Sequence, residues 1–125
     1  MHSTLIVARM NPDSAGDVAD IFKGFDATDM PDRMGTRRRE LFMFHGIYFH
    51  LQDFDSESGG DAIENTKNHP LFVKVSEDLR PYVQAYDPAT WRSPADAMAT
   101  RFYHWARVPG ALPSAGSVRL WSAEW

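Results

Sequence analysis

The order of the predicted strands and helices, β-α-β-β-α-β, indicates an α+β domain of the ferredoxin-like class, with helices on one face of an antiparallel sheet. Three observations predict this class: an apolar β-branched run near the start, an aromatic hairpin after the first helix, and an aromatic run after the second helix. The 125 residues suffice for one hydrophobic core. Because cysteine is absent, disulfides and thiol chemistry are excluded, and a cytoplasmic location is expected.

Short local signals predict the first strand and the first helix. Ser3–Met10 is a compact apolar run with β-branched residues, which is typical of a buried strand. Asn11-Pro12-Asp13 then marks a helix start, because Asn is a good N-cap and Pro suits the first helical position. Apolar residues spaced by three and four predict a helix that ends near Gly24–Asp26, followed by a loop over Asp26–Gly35.

Two β-rich runs, Arg37–Phe44 and Ile47–Asp53, are predicted to form a hairpin around the turn His45-Gly46. Alternation sorts the second strand into a partly polar face and an apolar face. The first comprises Tyr48, His50 and Gln52, and the second comprises Ile47, Phe49 and Leu51. Because the second set is wholly apolar, we expect it to face the helices and the first set to face a cavity.

The rest of the chain is predicted to complete the sheet. A short helix could run from Asp61 to about Lys67, and Asn68-His69-Pro70 starts a second long helix with an apolar stripe that reaches Val83. Ala85–Ala97 is an irregular connection that contains Trp91, and Ala99–Val108 is the last strand. The predicted domain is therefore 1–108, followed by a linker and aromatic tail over 109–125. Since large side chains lie on both sheet faces, a homodimer that packs two sheets into a barrel is expected.

Charge and motif content exclude several functional classes. The net charge is -4, and no basic stripe extends beyond Arg37–Arg39, so nucleic-acid binding is not expected. No apolar run is long enough to span a bilayer, so no membrane partner is expected. Neither a convincing metal-ligand set nor a glycine-rich phosphate loop is present, so no metal site and no nucleotide chemistry are predicted.

Several polar side chains of the hairpin region have two interpretations. His50 could be a general acid or base in a semi-enclosed apolar place, or a core histidine bonded to a neighbour. In the arginine run, Arg37 and Arg39 point to one face of the strand and Arg38 to the other. The side that meets the cavity could stabilise an oxyanion, or the run could be a solvated strand start paired with Glu40, Asp32 or Asp29. Asp26 and Asp29 could likewise mark a helix stop or place a carboxylate at the mouth of a cavity.

From Leu5 to about Val108 the chain resembles the TcmI-type aromatic polyketide cyclases of bacterial type II pathways. The resemblance rests on six motifs in order: Asp26-x-x-Asp29-x-Pro31, Gly35-x-Arg37-Arg38-Arg39, Leu41-Phe42-x-Phe44-His45, Tyr48-x-His50-Leu51, His69-Pro70-Leu71-Phe72 and Phe102-Tyr103-x-Trp105. It implies a cofactor-independent homodimer with a pocket between sheet and helices, acting on a poly-β-keto or partly cyclised intermediate. The implied reaction is an intramolecular aldol condensation followed by loss of water.

The resemblance also implies roles for individual residues. His50 would be the acid or base, Arg39 the oxyanion partner and Asp26 a polarising carboxylate. The substrate-binding residues would be Phe25, Asp29, Arg37, Tyr48, Gln52 and Trp105. Phe25 lies where the family pattern can carry a histidine, which shifts the acid–base work to His50 or to positioning of the substrate.

Transient contact with an acyl carrier protein or a ketosynthase is a further expectation from the resemblance. Two other functions are compatible with the same architecture. One is a cofactor-free anthrone-type monooxygenase, and the other is a non-catalytic subunit of a type II polyketide synthase.

Overall fold

The computed structural model describes residues 2–55, 63, 65–92 and 94–107. Short 3-10 turns lie at Pro12–Ser14 and Pro94–Ala97. The strands and α-helices are, in chain order, β1 (His2–Met10), α1 (Ala15–Asp26), α2 (Met30–Met34), β2 (Thr36–Phe44), β3 (Ile47–Phe54), α3 (Pro70–Leu79) and β4 (Val83–Ala85). None of the described helices is both long and apolar enough to cross a bilayer.

The four strands form one sheet in the order β2-β3-β1-β4. β1 is antiparallel to both β3 and β4, and β2 is antiparallel to β3. β1 and β2 therefore run parallel with β3 inserted between them, which is the split βαβ arrangement. The predicted ferredoxin-like α+β class is confirmed.

The local start and turn signals act as predicted. The Asn11 side chain accepts a hydrogen bond from the Asp13 N–H at 2.9 Å, and His69 Nδ1 accepts one from the Leu71 N–H at 3.1 Å. His69 is thus an N-cap, which satisfies an otherwise unpaired N–H of α3. In the hairpin turn, His45 and Gly46 have φ of 49° and 77°, as a two-residue turn of the primed type requires.

The predicted loop over Asp26–Gly35 was wrong in part, because it contains the short helix α2. Met30 and Met34 lie four residues apart on one side of this helix and are buried in the core. Gly35, with φ of 71°, ends the helix in the left-handed conformation. The polar residues between the methionines concealed this apolar contact in the sequence.

The predicted last strand, Ala99–Val108, was also wrong. The residues from 99 to 107 form neither strand nor helix, and Phe102 is 96% exposed. The fourth strand is instead Val83–Ala85, which pairs with Ala8–Met10. Farther along the same edge of β1, Met98 forms a single bridge with Ile6, and the Ala99 N–H donates to the Leu5 carbonyl at 2.7 Å. A segment rich in aromatic residues forms a strand only where it can pair with an unpaired edge of the sheet.

Three predictions fall wholly or partly outside the described residues. They are the predicted short helix, of which residues 61, 62 and 64 are not described, the predicted domain boundary at 108, and the predicted tail over 109–125. Within the predicted short helix, Ile63 is helical and buried.

The prediction that the apolar set of β3 faces the helices was wrong, because the set predicted to face a cavity takes that place. Tyr48, His50 and Gln52 face the helices and are almost fully buried, and the ring of Phe22 in α1 packs edge-on against His50 at 5.1 Å. The apolar set turns away from the helices and is only half-buried. Cross-strand partners share a face, so the open face carries one apolar patch: Leu5, Val7, Phe42, Phe44, Ile47, Phe49 and Leu51.

Candidate active site

A cavity of about 660 Å³ lies between the helix-facing side of the sheet, the helices α1 and α3, and the segment after β4. Its volume is in the range of small-molecule sites, and most of its wall is apolar. The principal apolar contributors are Ile6, Phe22, Phe25, Phe72, Leu79 and Trp91. A flat, hydrophobic molecule would therefore be compatible with this space.

Arg39 links a carboxylate and an imidazole at the wall of this cavity. Its Nε donates to both oxygens of Asp26 at 3.1 and 3.0 Å, and its Nη2 donates to Asp26 Oδ1 at 2.9 Å. Its Nη1 lies 2.8 Å from His50 Nε2. The Arg39 side chain is only 8% exposed, so both partners are needed to offset the burial of its charge.

Three elements bring these side chains together. Arg39 lies on β2 opposite Gln52, and His50 lies on β3 opposite Leu41, so alternation places Arg39 and His50 on the same face. Asp26 is the last residue of α1 and lies over this face. A carboxylate at a helix C-terminus is disfavoured by the helix dipole, and the guanidinium offsets that effect.

Two aromatic rings enclose the guanidinium. The Arg39 Cζ atom lies 4.9 Å from the ring centroid of Phe22 and 5.6 Å from that of Phe25. These contacts favour the cation and keep its fork in one orientation. Phe25 thus supports Arg39 in addition to lining the cavity.

The hydrogen bond from Arg39 determines the tautomer of His50. A guanidinium only donates, so His50 Nε2 must accept, and the imidazole proton must be on Nδ1. Burial, together with the positive charge of Arg39, lowers the pKa of His50 to about 3. His50 is therefore neutral near pH 7. In the part of the chain that the structure describes, its Nδ1–H has no hydrogen-bond acceptor and is available to a bound molecule.

Two further polar groups line the same wall. Burial raises the pKa of the Tyr48 phenol above its usual value, an effect larger than the opposing charge of Arg39, so this group stays protonated. Its ring lies 6.3 Å from that of His50. Gln52 donates from Nε2 to the Thr36 hydroxyl at 2.8 Å, which holds the amide in one orientation.

Comparison with known proteins then decides the family. Residues 2–106 match the family described as polyketide synthesis cyclase. The chain belongs to this family. It is 43% identical to the polyketide synthase CurG of Streptomyces cyaneus, over 86% of this chain and 99% of that protein. It is also 52% identical to an uncharacterized protein of Streptomyces coelicolor, over 87% of this chain and 98% of that protein.

A solved structure supports the same assignment. The tetracenomycin F2 cyclase of Streptomyces glaucescens, a type II polyketide cyclase, superposes with a TM-score of 0.79 and 35% identity, over 86% of this chain and 100% of that one. The predicted family and the predicted class of enzyme, an aromatic polyketide cyclase, are both confirmed.

Six of the nine residues predicted for the cyclase site lie together in the structure. His50, Arg39, Phe25, Tyr48 and Gln52 line the cavity, and Asp26 reaches it through Arg39. The interpretation of Arg39 as part of a solvated strand start does not apply, since its side chain is buried. That interpretation fits Arg38, which is exposed and contacts Asp53 at 2.9 Å and Glu40 at 3.2 Å.

The remaining three predicted residues lie away from the cavity. Asp29 accepts a hydrogen bond from Arg33 at 2.7 Å on the exposed side of α2. Arg37 is displaced by a shift in the register between Thr36 and Arg38, and it contacts Asp55 at 3.4 Å in solvent. Trp105 lies in the segment from 99 to 107 and is 53% exposed.

The sequence interpretation missed one wall of the cavity. Arg80, Gln84, Trp91 and Arg92 line it, and they come from the end of α3, from β4 and from the irregular segment that follows. The signal for this wall was Trp91, a large side chain between two prolines in a segment without regular structure.

Proposed function

We propose that this member of the cyclase family catalyses an intramolecular aldol condensation and the following loss of water, closing and aromatising a ring of a poly-β-keto or partly cyclised polyketide. The observation that carries the proposal is the Asp26–Arg39–His50 arrangement on the wall of an apolar cavity. The relatives named as a polyketide synthase and as tetracenomycin F2 cyclase support the substrate class.

Arg39 supplies the charge that the reaction needs. A guanidinium carries five N–H groups, and three of those on Arg39 engage Asp26 and His50. The other two N–H groups can donate to the oxygen of an enolate or of the alkoxide formed in the aldol step. Asp26 holds the fork in place and lowers the cost of burying it.

His50 acts in this proposal as a neutral hydrogen-bond donor. Its Nδ1–H polarises the ketone that is attacked, in the way that a neutral imidazole can serve as an electrophile in other enzymes. Nε2 is already engaged by Arg39, so it is not a free base. Solvent water can accept the proton of the attacking carbon, because that carbon lies between two ketones and its C–H is acidic, and water then returns a proton to the alkoxide. In the dehydration that follows, the new hydroxyl and the second proton of the same carbon leave together as water.

The apolar wall makes the remaining contribution, because it determines the folded conformation of the bound polyketide. Ring closure requires a methylene and a ketone to be held in contact, and positioning alone can lower a barrier substantially. Phe22, Phe25 and Tyr48 offer ring faces on which a flat intermediate can stack. Transient contact with an acyl carrier protein or a ketosynthase would deliver the intermediate.

The direct test adds the purified protein to a defined poly-β-keto synthase and identifies the products. We expect a mixture of spontaneous products to be replaced by one aromatic product. Rapid oxygen uptake with an anthrone, without any added cofactor, would instead indicate a monooxygenase. A product shift that survives substitution of both Arg39 and His50 would indicate a non-catalytic subunit.

We also propose that two copies of the chain pack through the open face of the sheet. Its apolar patch joins seven side chains on one face, and Phe42 and Phe44 are 50% and 66% exposed, as is typical of a surface that binds another protein. The exposed aromatic segment from 99 to 107 leaves the edge of the same sheet and adds apolar surface. A second copy would cover both surfaces and form the expected α+β barrel.

The substitution Phe42→Glu should separate the two copies. A carboxylate in the middle of an apolar interface would lose its water without gaining a partner. Light scattering after gel filtration should show twice the chain mass for the unmodified protein and one chain mass for the variant. Val73→Glu is the matched control, because Val73 is 39% exposed on α3, away from the patch. Equal masses for all three proteins would contradict the dimer.

A further inference from the structure

The cavity is cationic although the chain is acidic. The whole sequence has 17 acidic and 13 basic residues. Among the described residues, three arginines line the cavity and no aspartate or glutamate does. Asp26 offsets the charge of Arg39. Arg80 and Arg92 therefore carry the positive charge that is not offset within the described lining.

Arg80 and Arg92, termed here the mouth arginines, lie where the cavity meets solvent. Both residues are exposed, whereas Arg39 and His50 are buried. Each follows an apolar lining residue directly, since Leu79 precedes Arg80 and Trp91 precedes Arg92. The mouth thus presents an apolar wall with cations at its rim.

Nearby acids do not occupy these two side chains in the described structure. Asp78 accepts a hydrogen bond from Lys74 at 2.6 Å. The carboxylate of Asp96 accepts one from the backbone N–H of Arg92 at 2.9 Å. No ion pair of either mouth arginine is found among residues 2–55, 63, 65–92 and 94–107. Both guanidinium forks are therefore available to an anion.

We propose that the mouth arginines form an anion subsite that binds a carboxylate or a phosphodiester at the end of the substrate remote from the reacting ketones. This inference rests on the proposed function and specifies its substrate as an anion. Arginine suits the role because its planar fork matches both anions in a bidentate geometry. Anchoring one end of the polyketide would also determine which of its ketones lies beside Arg39 and His50.

The two anions correspond to two sources of substrate. A carboxylate would belong to an intermediate already released as a free acid. A phosphodiester would belong to the phosphopantetheine arm of a carrier protein that still holds the chain. Both are recognised by the same guanidinium chemistry.

Calorimetric titration with matched probes tests the subsite. Anthraquinone-2-carboxylate should bind about tenfold more tightly than the neutral anthraquinone-2-carboxamide, and the preference should weaken as salt is added. The double variant Arg80→Ala/Arg92→Ala should lose the preference, and Arg80→Lys/Arg92→Lys should keep part of it. Lys74→Ala removes one positive charge from the same helix outside the cavity and should keep the preference in full.

A second titration with the methyl ester of 4′-phosphopantetheine, which is a phosphodiester, separates the sources. Binding that depends on the mouth arginines supports the carrier-bound source, while binding of the carboxylate alone supports the free acid. Equal affinity for carboxylate and carboxamide, or a preference that survives in the double alanine variant, overturns the subsite. A mouth-dependent preference in a protein that yields no cyclised product would contradict the proposed function and leave the subsite standing.

Discussion

Replacement of Arg39 by methionine should lower kcat/KM for ring closure by about 10²- to 10³-fold, the usual effect of removing one donor to a developing oxyanion. Arg39 is the cation on the cavity wall whose fork is held by both Asp26 and His50. Methionine keeps much of the apolar stem but removes every donor. The rate of appearance of the aromatic chromophore from a defined substrate would measure the loss.

The lysine variant makes this test specific. Arg39→Lys keeps the charge but cannot donate to Asp26 with a planar fork while reaching His50, so we expect most of the loss to remain. Arg33→Met is the control, because Arg33 is an exposed arginine that pairs with Asp29 and does not line the cavity. If Arg39→Met were folded and as active as the Arg33→Met control, Arg39 would have no part in stabilising the transition state.

The pKa of His50 gives an independent readout of the same contact. Burial is the larger cause of the lowering of this pKa to about 3, and the positive charge of Arg39 is the second cause. In Arg39→Met the charge is gone, so the pKa of His50 should rise, while burial should still keep it below its usual value. Proton NMR of the imidazole during a pH titration would show the change.

Substitutions of His50 should separate a hydrogen-bond donor from a general base. His50→Ala and His50→Gln should each lower kcat by about 10²-fold, because neither presents an N–H near the position of Nδ1. His50→Asn places an amide N–H near that position and should retain activity within about tenfold of the unmodified protein. Equal losses in all three variants would favour a role that only an imidazole can perform.

The pH dependence supports the same distinction. A base with an ordinary histidine pKa would produce a fall in kcat below about pH 6.5. The pKa of His50 is about 3, so the neutral imidazole is the populated form on both sides of pH 6.5 within the range of the assay. We therefore expect no inflection from His50 between about pH 5 and 8. An inflection near pH 6.5 that disappears in His50→Asn would contradict the donor role.

Much of the scaffold follows from local sequence because its signals act over a few residues. Asn11 and His69 accept hydrogen bonds from N–H groups two residues ahead, and such caps can be read from sequence. His45-Gly46 supplies the positive φ angles of a tight hairpin turn. Alternation also places Arg39 and His50 on one face without any knowledge of the helices.

The contacts that decide the site are not local. Asp26 meets Arg39 because α1 ends over the sheet, and the spacing of thirteen residues between them does not indicate this. The mouth arginines join the cavity because α3 and the segment after β4 approach it from elsewhere in the chain. The exposed stretch with Phe102 looks like a strand in isolation, yet β1 pairs with Val83–Ala85 instead.

The sequence by itself determined the family, the hairpin and the pairing of Arg39 with His50 on a common face. Only the tertiary structure decided which face the helices cover. Alternation establishes that two sets of side chains point in opposite directions, but the packing of α1 and α3 selects the enclosed set. That selection buries Arg39 and His50 with Asp26 beside them, and it leaves the apolar patch around Phe42 open.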